Sequence, residues 1–221
     1  MAGFTSLALA RSSLPENYSL DHNGLLYQVD RTPFTYDRAY VVDRFNNYGI
    51  RLEQLSYLRL GYILGCMKRI PRSVLDVGYG NGAFLNAART LVADCNGFDV
   101  PPAYPLPVGI NPVGSPYSRH YDLVTFFDSL EHFPDVYEIR GLDCNFVGIS
   151  VPWCHSFEPD WFMNWKHRRP DEHLWHFNEE SLTSFFGELG YKIIGSSSVE
   201  DSIRKPEGAL PNILTAVFER A

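Results

Sequence analysis

The residues with the clearest chemical potential lie in the run Val74-Leu-Asp-Val-Gly-Tyr-Gly-Asn-Gly-Ala-Phe-Leu85. Val74, Leu75 and Val77 suit a buried central strand. Gly78, Gly80 and Gly82 let the backbone turn tightly and approach a ligand with no Cβ in the way. The helix expected next offers unpaired N–H groups at its start. A dinucleotide site spaces its glycines G-x-G-x-x-G and aims that helix end at a pyrophosphate. Here the spacing is G-x-G-x-G, and Asp76 stands just upstream. A carboxylate there suits a cationic ligand that carries an amino group and no phosphate, which makes a nicotinamide-dependent enzyme a poor third choice.

This segment resembles motif I of the class I S-adenosylmethionine (SAM)-dependent methyltransferases of the small-molecule, type 11/12-like kind. Two further stretches agree with it. Gly97-Phe-Asp-Val100 follows at about the distance of the acid that holds ribose hydroxyls after the second strand. Tyr121-Asp-Leu-Val-Thr-Phe-Phe-Asp-Ser-Leu-Glu-His-Phe133 looks like the fourth strand and its "LEH" element. The resemblance spans roughly residues 70–220.

The resemblance implies SAM as cofactor, with S-adenosylhomocysteine (SAH) as product. It implies that Asp76 holds the amino end and that Gly78, Tyr79, Gly80 and Gly82 line the cofactor backbone. Asp99, between Phe98 and Val100, would accept both ribose hydroxyls. Phe127, Asp128 and Ser129, at the switch point of an open α/β sheet, would also face the cofactor. Methyl transfer is an in-line displacement that needs alignment and sometimes a base. His132, Asp128, His173 and His176 are the candidate catalytic residues, and the sequence does not choose among the histidines, His155 included.

Asp128-Ser-Leu-Glu131-His132 also resembles the E-x-x-E-H metal motif of small-RNA 2′-O-methyltransferases, with His173 completing the set. Carboxylates and imidazoles together suit a divalent ion. The departure is aspartate at the first position. The same "LEH" occurs in metal-free small-molecule methyltransferases, where the histidine shapes the pocket, and that reading is preferred; the identity of any metal is left open.

Tyr36 and Tyr40, four apart, and Trp153 and His155 are the candidate acceptor contacts. The stretch 152–177 is rich in aromatics and histidines and reads either as a lid over the pocket or as a satellite core under a long loop.

Composition sets outer bounds. The chain has 221 residues, 45% hydrophobic and 14% aromatic, with a formal net charge of −7. That fits one globular unit. The acidic balance argues against a nucleic-acid partner, although Lys166-His-Arg-Arg169 is a local basic run. Cys66, Cys95, Cys144 and Cys154 have no zinc spacing and suit a reducing cytoplasm. Phe4–Ala10 is short and lacks a basic flank, so it is not read as a signal peptide. No apolar run is long enough to span a bilayer.

The expected fold is a Rossmann-like α/β domain with a doubly wound, mostly parallel sheet and a final antiparallel hairpin. Residues 1–50 form an N-terminal cap segment, 70–220 a SAM-binding core, and 152–177 an insertion, within a single domain 1–221. A helix is expected over 35–44 and another over 51–69. Prolines 101, 102, 105, 107, 112 and 116 shorten the third-strand region to a fragment near 107–110. The function implied is methylation of a small-molecule acceptor, O- or N-linked, on a sugar or metabolite. The alternatives are a metal-assisted RNA-terminal 2′-O-methyltransferase and a SAM-binding protein without catalysis. The acceptor, pathway and oligomeric state are not legible.

Overall fold

The computed structural model of the chain describes residues 14–46, 50–101, 103–206 and 208–221. The reading of Phe4–Ala10 falls outside them. The elements run β1 (Tyr18–Leu20), β2 (Leu26–Gln28), α1 (Arg38–Asn46), α2 (Ile50–Met67), β3 (Ser73–Val77) and α3 (Ala83–Ala88). They continue as β4 (Asp94–Phe98), β5 (Asn111–Pro112), β6 (Tyr121–Phe127), β7 (Cys144–Pro152), α4 (Pro159–Met163) and β8 (Trp175–His176). The chain ends with α5 (Glu179–Glu188), β9 (Tyr191–Ser197), α6 (Asp201–Arg204) and β10 (Ile213–Arg220).

Seven strands form one sheet in the order β5-β4-β3-β6-β7-β10-β9. Strands β5, β4, β3, β6 and β7 run parallel; β10 is antiparallel to both β7 and β9. The expected α/β architecture is therefore present, including its antiparallel end. Covered on both faces, β3 and β6 are buried along their whole lengths, which is why they read as near-continuous apolar runs. Two hydrophobic cores result. One includes Leu75, Val124 and Phe185; the other, on the side of α2 and α3, includes Ile63, Val74 and Phe84.

Helix α2 stops at Met67, earlier than its apolar spacing suggests, because Lys68 takes a left-handed φ of 56° and Pro71 follows. Helix α3 is six residues long, and just beyond it Thr90 turns its hydroxyl back onto the Ala87 carbonyl. The third-strand fragment is Asn111–Pro112, four residues later than Pro107, paired with Asn96 and Gly97. Helix α5 begins at a capping box. Asn178 accepts from the Ser181 N–H, and the Ser181 side chain reaches back to the Asn178 backbone.

The 152–177 stretch is not structureless. It holds α4 and β8, and β8 completes a small antiparallel sheet, β1-β2-β8. Trp161, Phe162 and Trp165 pack with Tyr18 and Leu26 of that sheet into a third apolar cluster. The satellite-core reading thus describes these rings.

Candidate functional site

The glycine loop joins β3 to α3. Gly78, Gly80 and Gly82 have φ of 79°, 58° and 74°, values a side chain tolerates poorly. Gly78 is doubly constrained: a Cβ there would lie 2.5 Å from the Ser129 Cβ. Ser129 is pinned in that place by donating to the Val77 carbonyl at 2.7 Å. The turn after β6 therefore clasps the turn after β3, at the point where strand order diverges and open α/β sheets bind ligands.

A cavity of about 110 Å³ opens here, walled by Asp76, Gly78, Tyr79, Gly80, Phe127 and Asp128, and on the α2 side by Ser56 and Arg59. Asp76 is 2% exposed and accepts from the Thr125 hydroxyl at 2.7 Å. Burial pushes its carboxyl up to about 7, against the opposing pull of Thr125 and Arg59. A buried acid poised between charge states suits a cationic partner.

Asp128 is not placed as a proton acceptor. It adopts φ 53° and is gripped by Arg59 Nη2 at 2.9 Å and by Arg204 Nη1 at 2.8 Å. Although burial opposes ionisation, the two guanidiniums hold its carboxyl far below the usual carboxylate range. Glu200, fully buried, completes the network. It accepts from Arg59 Nε at 2.6 Å, from Arg204 Nη1 at 3.1 Å and from the Ser150 hydroxyl. Arg59 also lies over the Phe127 ring at 4.4 Å. Sequence reasoning missed Arg59, Glu200 and Arg204, whose partners lie 4 to 141 positions away. One signal was available: Arg59 falls between Leu55 and Ile63 at helical spacing, on the buried face of α2.

Asp99 faces the glycine loop. Its Oδ2 accepts from the Gly80 N–H at 2.9 Å and its Oδ1 from the Val100 N–H at 2.8 Å. It does not wall the cavity; nor do Phe98, which packs on the larger core, Val100, which is exposed, or Gly82. Leu106 and Pro107 of the proline-rich segment lie over Gly82, and the Tyr79 hydroxyl donates to the Tyr104 carbonyl.

The histidines divide. His132 Nδ1 lies 2.9 Å from both the Tyr36 hydroxyl and the Glu172 carbonyl. Tyr40 donates to the Glu172 carboxylate at 2.6 Å, and the Tyr36 and Tyr40 rings meet at 5.5 Å, although Tyr36 precedes α1 and does not lie on it. His173 is 3% exposed and its Nδ1 contacts the His167 carbonyl at 2.8 Å. Burial pushes His173 down to about 2 and His176 down to about 3. His176 sits among Tyr18, Phe162 and Trp165. Trp153 and His155 stack on each other at 5.2 Å, with His155 Nε2 on the Pro211 carbonyl. None of these rings walls the cavity. Ligand atoms of Glu131, His132 and His173 lie within 4.8 Å of one another; Asp128, committed to its arginines, is not with them.

Residues 54–196 match a family model described as a methyltransferase domain. No curated protein matches the chain significantly in sequence. Among solved structures, one similar chain comes from the complex between the Haloferax volcanii Trm112 methyltransferase activator and a methyltransferase (TM-score 0.58, 13% identity, 85% of this chain and 99% of that one). A second is the magnesium protoporphyrin IX methyltransferase of Synechocystis PCC 6803 with bound SAH (0.53, 13%, 86% and 90%). A third is the Burkholderia thailandensis 1,6-didemethyltoxoflavin-N1-methyltransferase with its substrate and SAH (0.51, 14%, 93% and 99%).

Proposed function

The chain belongs to the class I SAM-dependent methyltransferases, and from that premise we propose that it methylates a small-molecule acceptor at oxygen or nitrogen. The observation that carries the reading is the cavity at the sheet's switch point, with a left-handed glycine loop on one side and a buried, proton-poised Asp76 beneath. Those features fit a sulfonium amino-acid ligand and not a pyrophosphate. SAH bound to two of the similar structures supports the same donor.

In this reading SAM supplies the activated methyl group. Asp76 holds the ammonium, the glycine loop leaves room for the chain of the donor, and Phe127 walls the cavity without a competing nucleophile. Asp99 would offer its remaining lone pairs to the ribose hydroxyls. His132, one turn beyond Asp128, takes the acceptor's proton. Its Nδ1 is directed at a carbonyl, so the other ring nitrogen is the acceptor. His173 and His176 are too weakly basic for that task near neutral pH. Tyr36 and Tyr40 frame the acceptor side through His132 and Glu172. The single-domain organisation and a cytoplasmic site belong to the same proposal. Its supports are the four free cysteines and the lack, among the described residues, of a helix long and apolar enough to cross a membrane.

The test is SAH release from SAM across a panel of hydroxylated and amine-bearing metabolites, with RNA 3′ ends alongside. Turnover of a metabolite, lost in His132→Gln, is the expected outcome; turnover of RNA alone would overturn the small-molecule reading.

One observation favours a second reading. Glu131, His132 and His173 converge, and both imidazoles have Nδ1 at a backbone carbonyl, the arrangement that presents the other nitrogen to a metal. Metal-assisted transfer to a hydroxyl would then apply. Chelation with EDTA discriminates: the first reading expects unchanged turnover and melting temperature, the second a loss of both, restored by Mn²⁺ or Zn²⁺.

A further inference from the structure

Arg204 walls the cavity, yet the reading above gives it no part in the reaction. Its guanidinium carries five N–H donors in a fixed fork. Nη1 alone serves the ionic network: it donates to the Asp128 oxygens at 2.8 and 3.0 Å and to Glu200 Oε2 at 3.1 Å. Nε and Nη2 have no hydrogen-bond partner among the described residues. Those two nitrogens form the side-on edge of the guanidinium. Arg59 uses the same edge to take both oxygens of Glu200, at 2.6 and 3.0 Å. On Arg204 that edge is uncommitted, and it is not sealed off, since the side chain is 16% exposed.

The basic run Lys166-His-Arg-Arg169 is built into the same wall. His167 Nε2 lies 2.7 Å from Asn212 Oδ1, and the Asn212 N–H donates to Asp201 at the start of α6, the helix that carries Arg204. At its other side the His167 carbonyl accepts from His173, whose ring meets His132 edge-on at 4.7 Å. The cationic run therefore stretches between the candidate base and the Arg204 fork. Within the network itself Asp128 and Glu200 balance Arg59 and Arg204, so the run supplies the excess positive charge. We propose that Arg204, through Nε and Nη2, receives a carboxylate of the methyl acceptor, and that the acceptor is a small carboxylic acid whose reacting oxygen or nitrogen lies elsewhere in the molecule. The side-on fork matches a planar two-oxygen anion bidentately. A neutral acceptor would leave it unmatched. The inference rests on the small-molecule methyltransferase reading and names its substrate class.

The test is SAM turnover by the full chain with matched pairs of small acids and their carboxamides: hydroxybenzoates, aminobenzoates and hydroxycinnamates, each against its amide. Losing a charge-assisted contact should lower kcat/KM about 10- to 100-fold. The expected result is that the wild type turns over at least one acid and prefers it to its amide by that factor. Arg204→Met should bring the ratio of acid to amide close to one, and Arg204→Lys, which keeps the charge but not the fork, should retain part of the preference. The ratio within one variant cancels any general loss of activity, which is all that a merely structural role would produce. Equal or faster turnover of the amides by the wild type, an unchanged ratio in Arg204→Met, or no turnover of any acid by protein that binds SAH would overturn the proposal and leave the donor reading in place. Failure to bind SAH would instead overturn that reading itself. The wild-type comparison needs no variant, so it decides the matter even where Arg204→Met does not fold.

Discussion

At the scale of single residues, the protonation of Asp76 is the most consequential property of the site. Burial raises its carboxyl to about 7, and the free acid is the preferred form below that. An ammonium ligand needs the carboxylate. Cofactor affinity should therefore rise with pH and level off above about 7, with a loss approaching about tenfold per unit below it. Binding at neutral pH should release a fraction of a proton, readable as a heat that depends on buffer ionisation, and Asp76→Asn should remove both effects. The sign for stability is opposite. The unfolded chain loses this proton first, so the free protein loses stability from this group as pH climbs toward about 7, and no more above it. Asp128 behaves otherwise. Its two arginines keep it ionised, so Asp128→Asn should leave the pH profile of turnover in place. It should cost about 1–3 kcal/mol in chemical denaturation, the penalty of weakening a buried charged pair. The sequence marked both acids by their place in the motifs. It could not separate their roles, because Arg59 and Arg204 approach Asp128 from 69 and 76 positions away.

At the scale of elements, the glycines of the chain differ in what they do. Gly78 combines a left-handed backbone with a Cβ position 2.5 Å from Ser129. Gly78→Ala must therefore part the two turns that form the site. It should cost several kcal/mol, about 2–4 by the usual scale of overpacking and strain, and abolish cofactor binding. Gly61 sits in α2 with nothing within 4 Å of its Cβ position. Gly61→Ala should raise stability by about 0.5–1 kcal/mol and leave binding alone. Asn178→Ala removes one side of the α5 capping box and should cost about 1 kcal/mol, visible as a melting shift of a few degrees. The β6 run and the glycine turn were legible because each is local chemistry written in consecutive residues. The stop of α2 was not: Lys68 in a left-handed conformation carries no signal of its own. Nor was the fate of the aromatic insertion. Trp161 and Trp165 find their partners in Tyr18 and Leu26, far back in the chain, and that pairing makes these rings part of a third, small core.

At the scale of the molecule, the order β5-β4-β3-β6-β7-β10-β9 places the ends of β3 and β6 side by side, and the site follows from that crossing. Alternating strand and helix patterns made this sheet readable, since parallel strands buried on both faces have few other ways to pack. The sequence did not reveal the cross-linking of the finished sheet by Arg59, Glu200, Arg204 and Asp128, which joins α2 to the segment between β9 and β10 across the cavity. Electrostatic closure of that kind depends on the whole fold being in place. It ties cofactor binding to global stability: a ligand in the cavity should raise the melting temperature with the logarithm of its concentration relative to its dissociation constant.

The central claim is that the cavity bounded by the glycine loop, Asp76 and Arg59 is the SAM site. Its most direct test is a calorimetric titration of the folded full chain with SAH, repeated on Gly78→Val. Saturable one-to-one binding to the wild type, absent from a folded Gly78→Val, is the result expected here. No binding to the folded wild type, or equal binding to both proteins, would contradict it.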